Sequence, residues 1–265
     1  RMGTSSSTIS RIESGQHVTS VRTLERLADA LEGQHAQWVR TYATRPDFLG
    51  AIASEPAQRA AQLFHTHGVG QLLELGPGQG RDSLFFAAAG ITVTAIDFAE
   101  DGLDQISHKA DLAGLSQAIT TMRHDVRRPL PLADASFDAC YAHMLFCMAL
   151  TTGELERLSA EVRRVLRGHG LEVYTVRNTA DPHYGSGVAH GDGMFEMGGF
   201  IVHFFDRALI DRLAAGFELL EVAEYEEGKL PRRLFGVTMR KPTDVSRAAH
   251  TTLAARASPT SDKSP

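Results

Sequence analysis

Cysteine is scarce in these 265 residues: the chain has two, Cys140 and Cys147, and the first falls in an apolar run expected to be a buried strand. A disulfide framework is therefore not expected, and the usage fits a protein of the reducing cytoplasm. No apolar run approaches the roughly 18 residues of a membrane span, and no signal peptide opens the chain. Because it starts at Arg1 rather than methionine, the chain is expected to be cut from something longer. Charge of one sign is not in large excess, and a net charge of −5 gives no dominant attraction to nucleic acid or an anionic membrane. Close H-x-x-x-H pairs and cysteine–histidine clusters are missing, so no metal site is expected. No internal repeat is visible.

Hydrophobic residues make up 43% of the chain, enough to fill a sizeable α/β core. The informative stretch is LLELGPGQGRDSLFFAAAG, residues 72–90, followed by ITVTAIDF, residues 91–98. It reads as an apolar strand, a glycine-rich turn, an amphipathic helix and a second strand ending in an acid, which is half of a nucleotide-binding α/β unit. Gly76, Gly78 and Gly80 form G-x-G-x-G; a dinucleotide fingerprint has its third glycine one place later, where this chain has Arg81. A pyrophosphate is thus not the obvious guest. Glu74, just before the turn, repels phosphate but suits an ammonium group. Asp97 is placed for ribose hydroxyls, and the ring of Phe98 for an adenine face. The plainer alternatives are a helix cap for Asp97 and ordinary core for Phe98. A ligand with adenine, ribose and a cationic amino-acid tail satisfies these features together, and S-adenosylmethionine is such a ligand.

On these motifs the sequence, from about residue 71 to residue 241, resembles the class I S-adenosylmethionine-dependent methyltransferases. The resemblance implies that Glu74, Gly76, Gly78 and Gly80 hold the methionine end, that Asp97 and Phe98 take the ribose and adenine, and that Asp125 and Val126 of HDV border the adenine amino group. Ala142 and His143, in FDACYAHMLF, would border the methionine moiety. Pro77 departs from what many members carry in the turn. The GQGRDS turn is similar to the small-molecule group that includes tellurite-resistance and thiopurine-type enzymes, which implies a small acceptor such as a thiol, a chalcogen oxyanion or a heterocycle. The loop after the fourth strand reads AHML, without the Asn/Asp-Pro-Pro-aromatic signature of enzymes that methylate flipped DNA bases on nitrogen.

The expected fold is a doubly wound, mostly parallel, seven-stranded Rossmann-like sheet with a helical N-terminal extension. Parallel strands are expected at 71–75, 92–96, 119–123, 137–142 and 170–176, helices at 81–89, 101–113, 153–166 and 206–214, and two closing strands after the last helix. Gly168 and Gly170 are expected to stop the third of these helices. Residues 178–205 form a long connection, rich in glycine yet carrying Tyr184, Met194, Phe195, Met197 and Phe200. It is expected to be a flexible lid with these residues on the substrate, although packing against the sheet is the competing reading. His143, His183 and His203, with His190, are the candidate general bases, each with a plain structural alternative.

Residues 1–33 resemble the later part of a Cro/repressor-type helix-turn-helix, with Ile9, Ile12, Glu13 and Gly15 as recognition helix and stop, and Leu24, Leu27, Ala28 and Leu31 as the next apolar face. The first helix is missing, so DNA binding is expected only of a longer parent chain. Residues 34–70 read as a helical extension that covers the cofactor in many relatives, with Trp38, Tyr42 and Phe48 near the acceptor. Residues 71–241 are the S-adenosylmethionine-binding domain, and 242–265 a polar tail expected to be disordered. Two functions follow: methyl transfer to a small molecule, or a transcriptional regulator in which this fold senses S-adenosylmethionine or a metabolite.

Overall fold

A computed structural model describes residues 21–228 and 232–243, and for 21–32 the backbone alone. The expected recognition helix near Ile9 to Gly15 and nearly all of the expected tail lie outside these residues. The first described element is helix α1, Val21–Thr44, followed by α2, Glu55–Thr66. The α/β body continues with β1 (Gln71–Leu75), α3 (Arg81–Ala88), β2 (Thr92–Asp97), α4 (Glu100–Ala113), β3 (Ile119–Arg123), β4 (Phe137–His143), α5 (Thr152–Val165) and β5 (Leu166–Arg177). After β6 (Val188–Gly191), β7 (Met194–Met197) and β8 (Phe200–His203) come α6 (Arg207–Leu213), β9 (Glu218–Glu227) and β10 (Arg232–Arg240).

Seven strands form one sheet in the order β3-β2-β1-β4-β5-β10-β9. The first five in sequence run parallel, and β10 enters antiparallel between β5 and β9. Strands buried on both faces read as continuous apolar runs, and β1 is such a strand. Its alternate side chains divide between two cores: Leu72 joins Phe64 of α2, Phe86 of α3 and Ile106 of α4, whereas Leu73 and Leu75 join Leu155 and Val162 of α5 and Ile210 of α6. Each such side chain contributes roughly 1.5–3 kcal/mol by leaving water.

Local chemistry sets the helix starts. Ser54 caps α2 by accepting from Ala57 N at 3.1 Å, and Thr151 with Glu154 forms a reciprocal capping box on α5. The largest difference from the expected ends is at the close of α5. Helix α5 stops at Val165 and β5 begins at once, before Gly168 and Gly170; the left-handed residue in between is His169, at φ 65°. Pairing of Leu166 with Phe137 pulls the chain into the sheet before any glycine is reached.

A second departure concerns residues 178–205. Instead of an irregular lid, β6, β7 and β8 form a three-stranded antiparallel sheet. Its glycines make turns and close approaches: Gly193, Gly198 and Gly199 have positive φ, and a Cβ on Gly199 would collide with Gln37 Oε1. A third departure is that α1 runs unbroken through the boundary expected at residue 33.

Candidate functional site

Parallel strands β1, β2 and β4 deliver their carboxyl ends to one edge of the sheet, where the Gly76–Gly80 turn leaves β1. Gly76, Gly78 and Gly80 have φ of 68°, 56° and 83°, values that favour glycine. Space is as tight as the backbone: a Cβ on Gly78 would lie 2.7 Å from Leu49 Cδ1 and 2.9 Å from the Tyr42 hydroxyl, and one on Gly80 would collide with Ile106. The turn therefore keeps its backbone close to whatever lies above it.

Two acids flank the turn. Glu74 is 3% exposed, and its Oε2 accepts from Ser83 Oγ at 2.5 Å. Burial, reinforced by the neighbouring Asp82 charge, pushes its pKa up to about 8. Asp97 is held by backbone donors, Gly78 N at 3.2 Å and Ala99 N at 3.0 Å, and burial raises its pKa to about 6 against those hydrogen bonds. A buried carboxyl whose pKa stays raised, with Arg81 in charge range but no direct ion pair to it, is the chemistry expected of an ammonium site before its ligand arrives. On this donor set the residues fit an amino-acid tail at Glu74 and a ribose at Asp97.

The residues expected at an adenine have partners within the chain. Asp125 is engaged by Arg127, whose Nη2 lies 2.7 Å from Oδ2 and whose Nε is 3.0 Å from both oxygens. Burial alone would raise the pKa of Asp125, but the hydrogen bonds and charge of Arg127 outweigh it and hold the group ionised. Phe98 carries the imidazole of His35 on its face, with ring centroids 3.9 Å apart and planes 6° from parallel. Val126 packs at the edge of the core that also contains Ala142, which is buried.

The histidines are held by different partners. His143 Nδ1 meets Thr175 Oγ1 at 2.7 Å and its Nε2 faces Glu227 at 3.5 Å, so both nitrogens are in use; this contact holds the Glu227 pKa below the ordinary range. His183 Nδ1 lies against Arg177 and Asp181, a buried ion pair that also takes Arg233 N. His203 is buried with Nδ1 on Leu150 O, and burial lowers its pKa. His190 pairs with Glu196 at 2.8 Å. Among the described residues no group of three or more His, Cys, Asp or Glu side chains is placed to hold a metal, and no helix is long and apolar enough to cross a membrane.

The expected substrate residues separate. Phe200 packs on Trp38 of α1 at 4.9 Å. Tyr184 and Phe195 instead form an edge-to-face cluster with Phe204, Met197 packs against the main core, and Met194 is fully buried with Ile201. Trp38 and Tyr42 reach the cleft, whereas Phe48 is 43% exposed. Sequence reasoning missed Arg81, which sits within charge range of both Glu74 and Glu227 and donates to Leu49 O at 2.9 Å. It also missed Gln34, whose amide meets both backbone groups of Ile201 at 3.2 and 3.0 Å.

Two cavities lie away from the glycine turn. One of about 170 Å³ opens between α2 and the β5–β10–β9 side of the sheet. The other, about 280 Å³, is lined by Tyr184, His203, Asp192 and Arg212 among others.

Comparison with known proteins agrees with this geometry. Residues 72–170 match the family described as a methyltransferase domain. That segment, with the fold around it, is that of a methyltransferase domain. Residues 1–37 match a helix-turn-helix domain. Among solved structures, the methyltransferase domain is similar to a SAM-dependent methyltransferase from Methanosarcina mazei, with TM-score 0.61 and 20% identity over 69% of this chain and 98% of that one. The 1,6-didemethyltoxoflavin-N1-methyltransferase of Burkholderia thailandensis aligns with TM-score 0.62 and 18% identity over 86% and 92%. The CcbJ methyltransferase of Streptomyces caelestis aligns with TM-score 0.60 and 19% identity over 77% and 96%. At these identities the likeness is one of fold. A search of curated proteins finds no significant match.

Proposed function

We propose that this protein is an S-adenosylmethionine-dependent methyltransferase acting on a small molecule. The observation that carries the reading is the pair of buried carboxyls, Glu74 and Asp97, set on either side of a turn whose three glycines leave no room for a side chain. Glu74, when ionised, receives the ammonium of the methionine tail, and the free lone pairs of Asp97 receive ribose hydroxyls while its backbone donors fix its orientation. Asp125 and Val126 edge the adenine, and Arg81 brings a positive charge for the tail's carboxylate.

S-adenosylmethionine supplies a methyl group already activated by the sulfonium, so the chain's task is to align the acceptor and exclude water. Helix α1, through Trp38 and Tyr42, and β8, through Phe200, form that cover. Among the candidate bases, His143 has both nitrogens engaged in this arrangement, by Thr175 and Glu227. That favours an acceptor that arrives as a ready nucleophile, such as a thiolate, a chalcogen oxyanion or a ring nitrogen of a small heterocycle. The Burkholderia neighbour is named for methylation at a ring position of a small molecule, which supports the last class.

The helix-turn-helix match favours a second reading, in which the parent protein binds DNA and this domain senses S-adenosylmethionine or a metabolite. Incubation with S-adenosylmethionine and panels of thiols, chalcogen oxyanions and heterocycles, followed by mass spectrometry, separates the two. A methylated product together with S-adenosylhomocysteine supports the enzyme; binding of the cofactor without turnover on any panel supports the sensor.

A further inference from the structure

Helix α1 belongs to two places at once. Its first part lies within residues 1–37, the segment that matches a helix-turn-helix domain, and its second part lies on the surfaces assigned above to the cofactor. The His35 imidazole stacks on Phe98 at 3.9 Å and 6°, the arrangement of one flat ring laid on another and the one a purine would adopt there. Arg127, while gripping Asp125, also reaches His35 Nδ1 at 3.3 Å. Farther along the helix, the Tyr42 hydroxyl closes over Gly78. Neither cavity described above is lined by residues of this cleft.

We propose that α1 is an intramolecular competitor for the adenosyl site: His35 holds the adenine's place on Phe98, and ligand entry moves the His35 turn of α1 off that ring and with it the helix-turn-helix segment. The inference rests on the cofactor reading above. One face of Phe98 accepts His35 or a purine, not both, and this is the differential interaction a ligand needs to shift an equilibrium. An uninterrupted helix from Val21 to Thr44 transmits the displacement, and the two hydrogen bonds of Gln34 to Ile201 draw β8 along. By reciprocity, whatever fixes the helix-turn-helix segment, DNA included, changes affinity for the adenosyl ligand by the same factor.

Trp38 is the sole tryptophan, and it sits on α1 against Phe200, so its emission reports the helix. The experiment titrates this chain with S-adenosylhomocysteine, following heat and Trp38 emission in parallel, for wild type, His35→Ala and His35→Phe. The expected result is an emission change that saturates with the heat, binding about two- to tenfold tighter for His35→Ala, and no gain for His35→Phe, which keeps a ring on Phe98. Circular dichroism establishes that the variants are folded; should His35→Ala not fold, the wild-type emission and His35→Phe decide. Heat without an emission change overturns the proposal, as does His35→Ala binding no tighter than wild type, which would make His35 part of the site. Absence of heat from every folded protein overturns the cofactor reading itself.

Discussion

The glycine turn with its two acids and the cover formed by α1 with β6–β8 face the same cleft but are built in opposite ways. The first is assembled from a contiguous run, with Glu74, Ser83 and Asp97 lying close in sequence and held largely by backbone hydrogen bonds. The second joins residues 167 apart, through the two bonds of the Gln34 amide to the Ile201 backbone and the ring contact of Trp38 with Phe200. Local construction gives a rigid receptor; long-range construction gives a cover that can be lifted at the cost of a few hydrogen bonds and ring contacts. That division suits a protein that must both grip a cofactor and let it in.

The largest test of the contrast is a side chain placed in the turn. Gly80→Ala forces a left-handed φ of 83° on alanine and drives Cβ into Ile106, and is expected to cost about 2–5 kcal/mol in denaturant unfolding. A similar change in the cover, Phe200→Ala, is expected to cost less than half of that while altering turnover more than stability. Equal losses at the two sites would erase the distinction.

Next in size, Asp97→Ala removes the proposed ribose acceptor and is expected to weaken S-adenosylhomocysteine by roughly 10–100-fold in calorimetry. Unchanged affinity would remove Asp97 from the site.

Protonation sharpens the comparison further. Glu74 has a pKa of about 8 in the free protein but must be ionised to hold an ammonium, so binding at neutral pH releases a proton. Affinity is expected to rise as pH increases toward 8, by at most about tenfold per pH unit, and to level off above it; Glu74→Gln flattens the profile. Stability of the free protein moves oppositely. A carboxyl whose pKa is raised on folding contributes stability fully present below its ordinary 4.5, and that contribution is lost as pH rises through about 8. Thermal unfolding across this range, with and without ligand, reads both signs.

The smallest effect lies beneath the site. Glu172 is fully buried in β5, neither carboxyl oxygen has a hydrogen-bond partner, and burial raises its pKa well above the usual value. Replacing it with methionine is expected to stabilise the protein by about 1–3 kcal/mol with cofactor affinity unchanged. Destabilisation would show that the carboxyl has work in the fold beyond filling space.

What could be read from the sequence follows the same division. The β1–α3–β2 unit was legible because period, glycine spacing and terminal acids sit in one stretch, and the seven-stranded sheet because strand and helix periods alternate along the chain. The β6–β8 sheet was legible in principle: Asp192-Gly193 and Gly198-Gly199 are two-residue hairpin signals between short alternating runs, and their glycines were read as flexibility instead. His35 on Phe98, Arg127 on Asp125 and Gln34 on Ile201 were not legible, because nothing local specifies which distant surface a helix face will meet. The histidines show the same limit: their residue type suggested bases, while the partners that hold them, such as Thr175 and Glu227 on His143, are visible only in the fold.

The most direct test of the central claim is calorimetric titration of the wild-type chain and Asp97→Ala with S-adenosylhomocysteine, with NAD as the control ligand. The account predicts micromolar binding to the wild type, a large loss in the variant and no binding of NAD. Wild-type protein that is folded yet takes up NAD, or neither ligand, would contradict it.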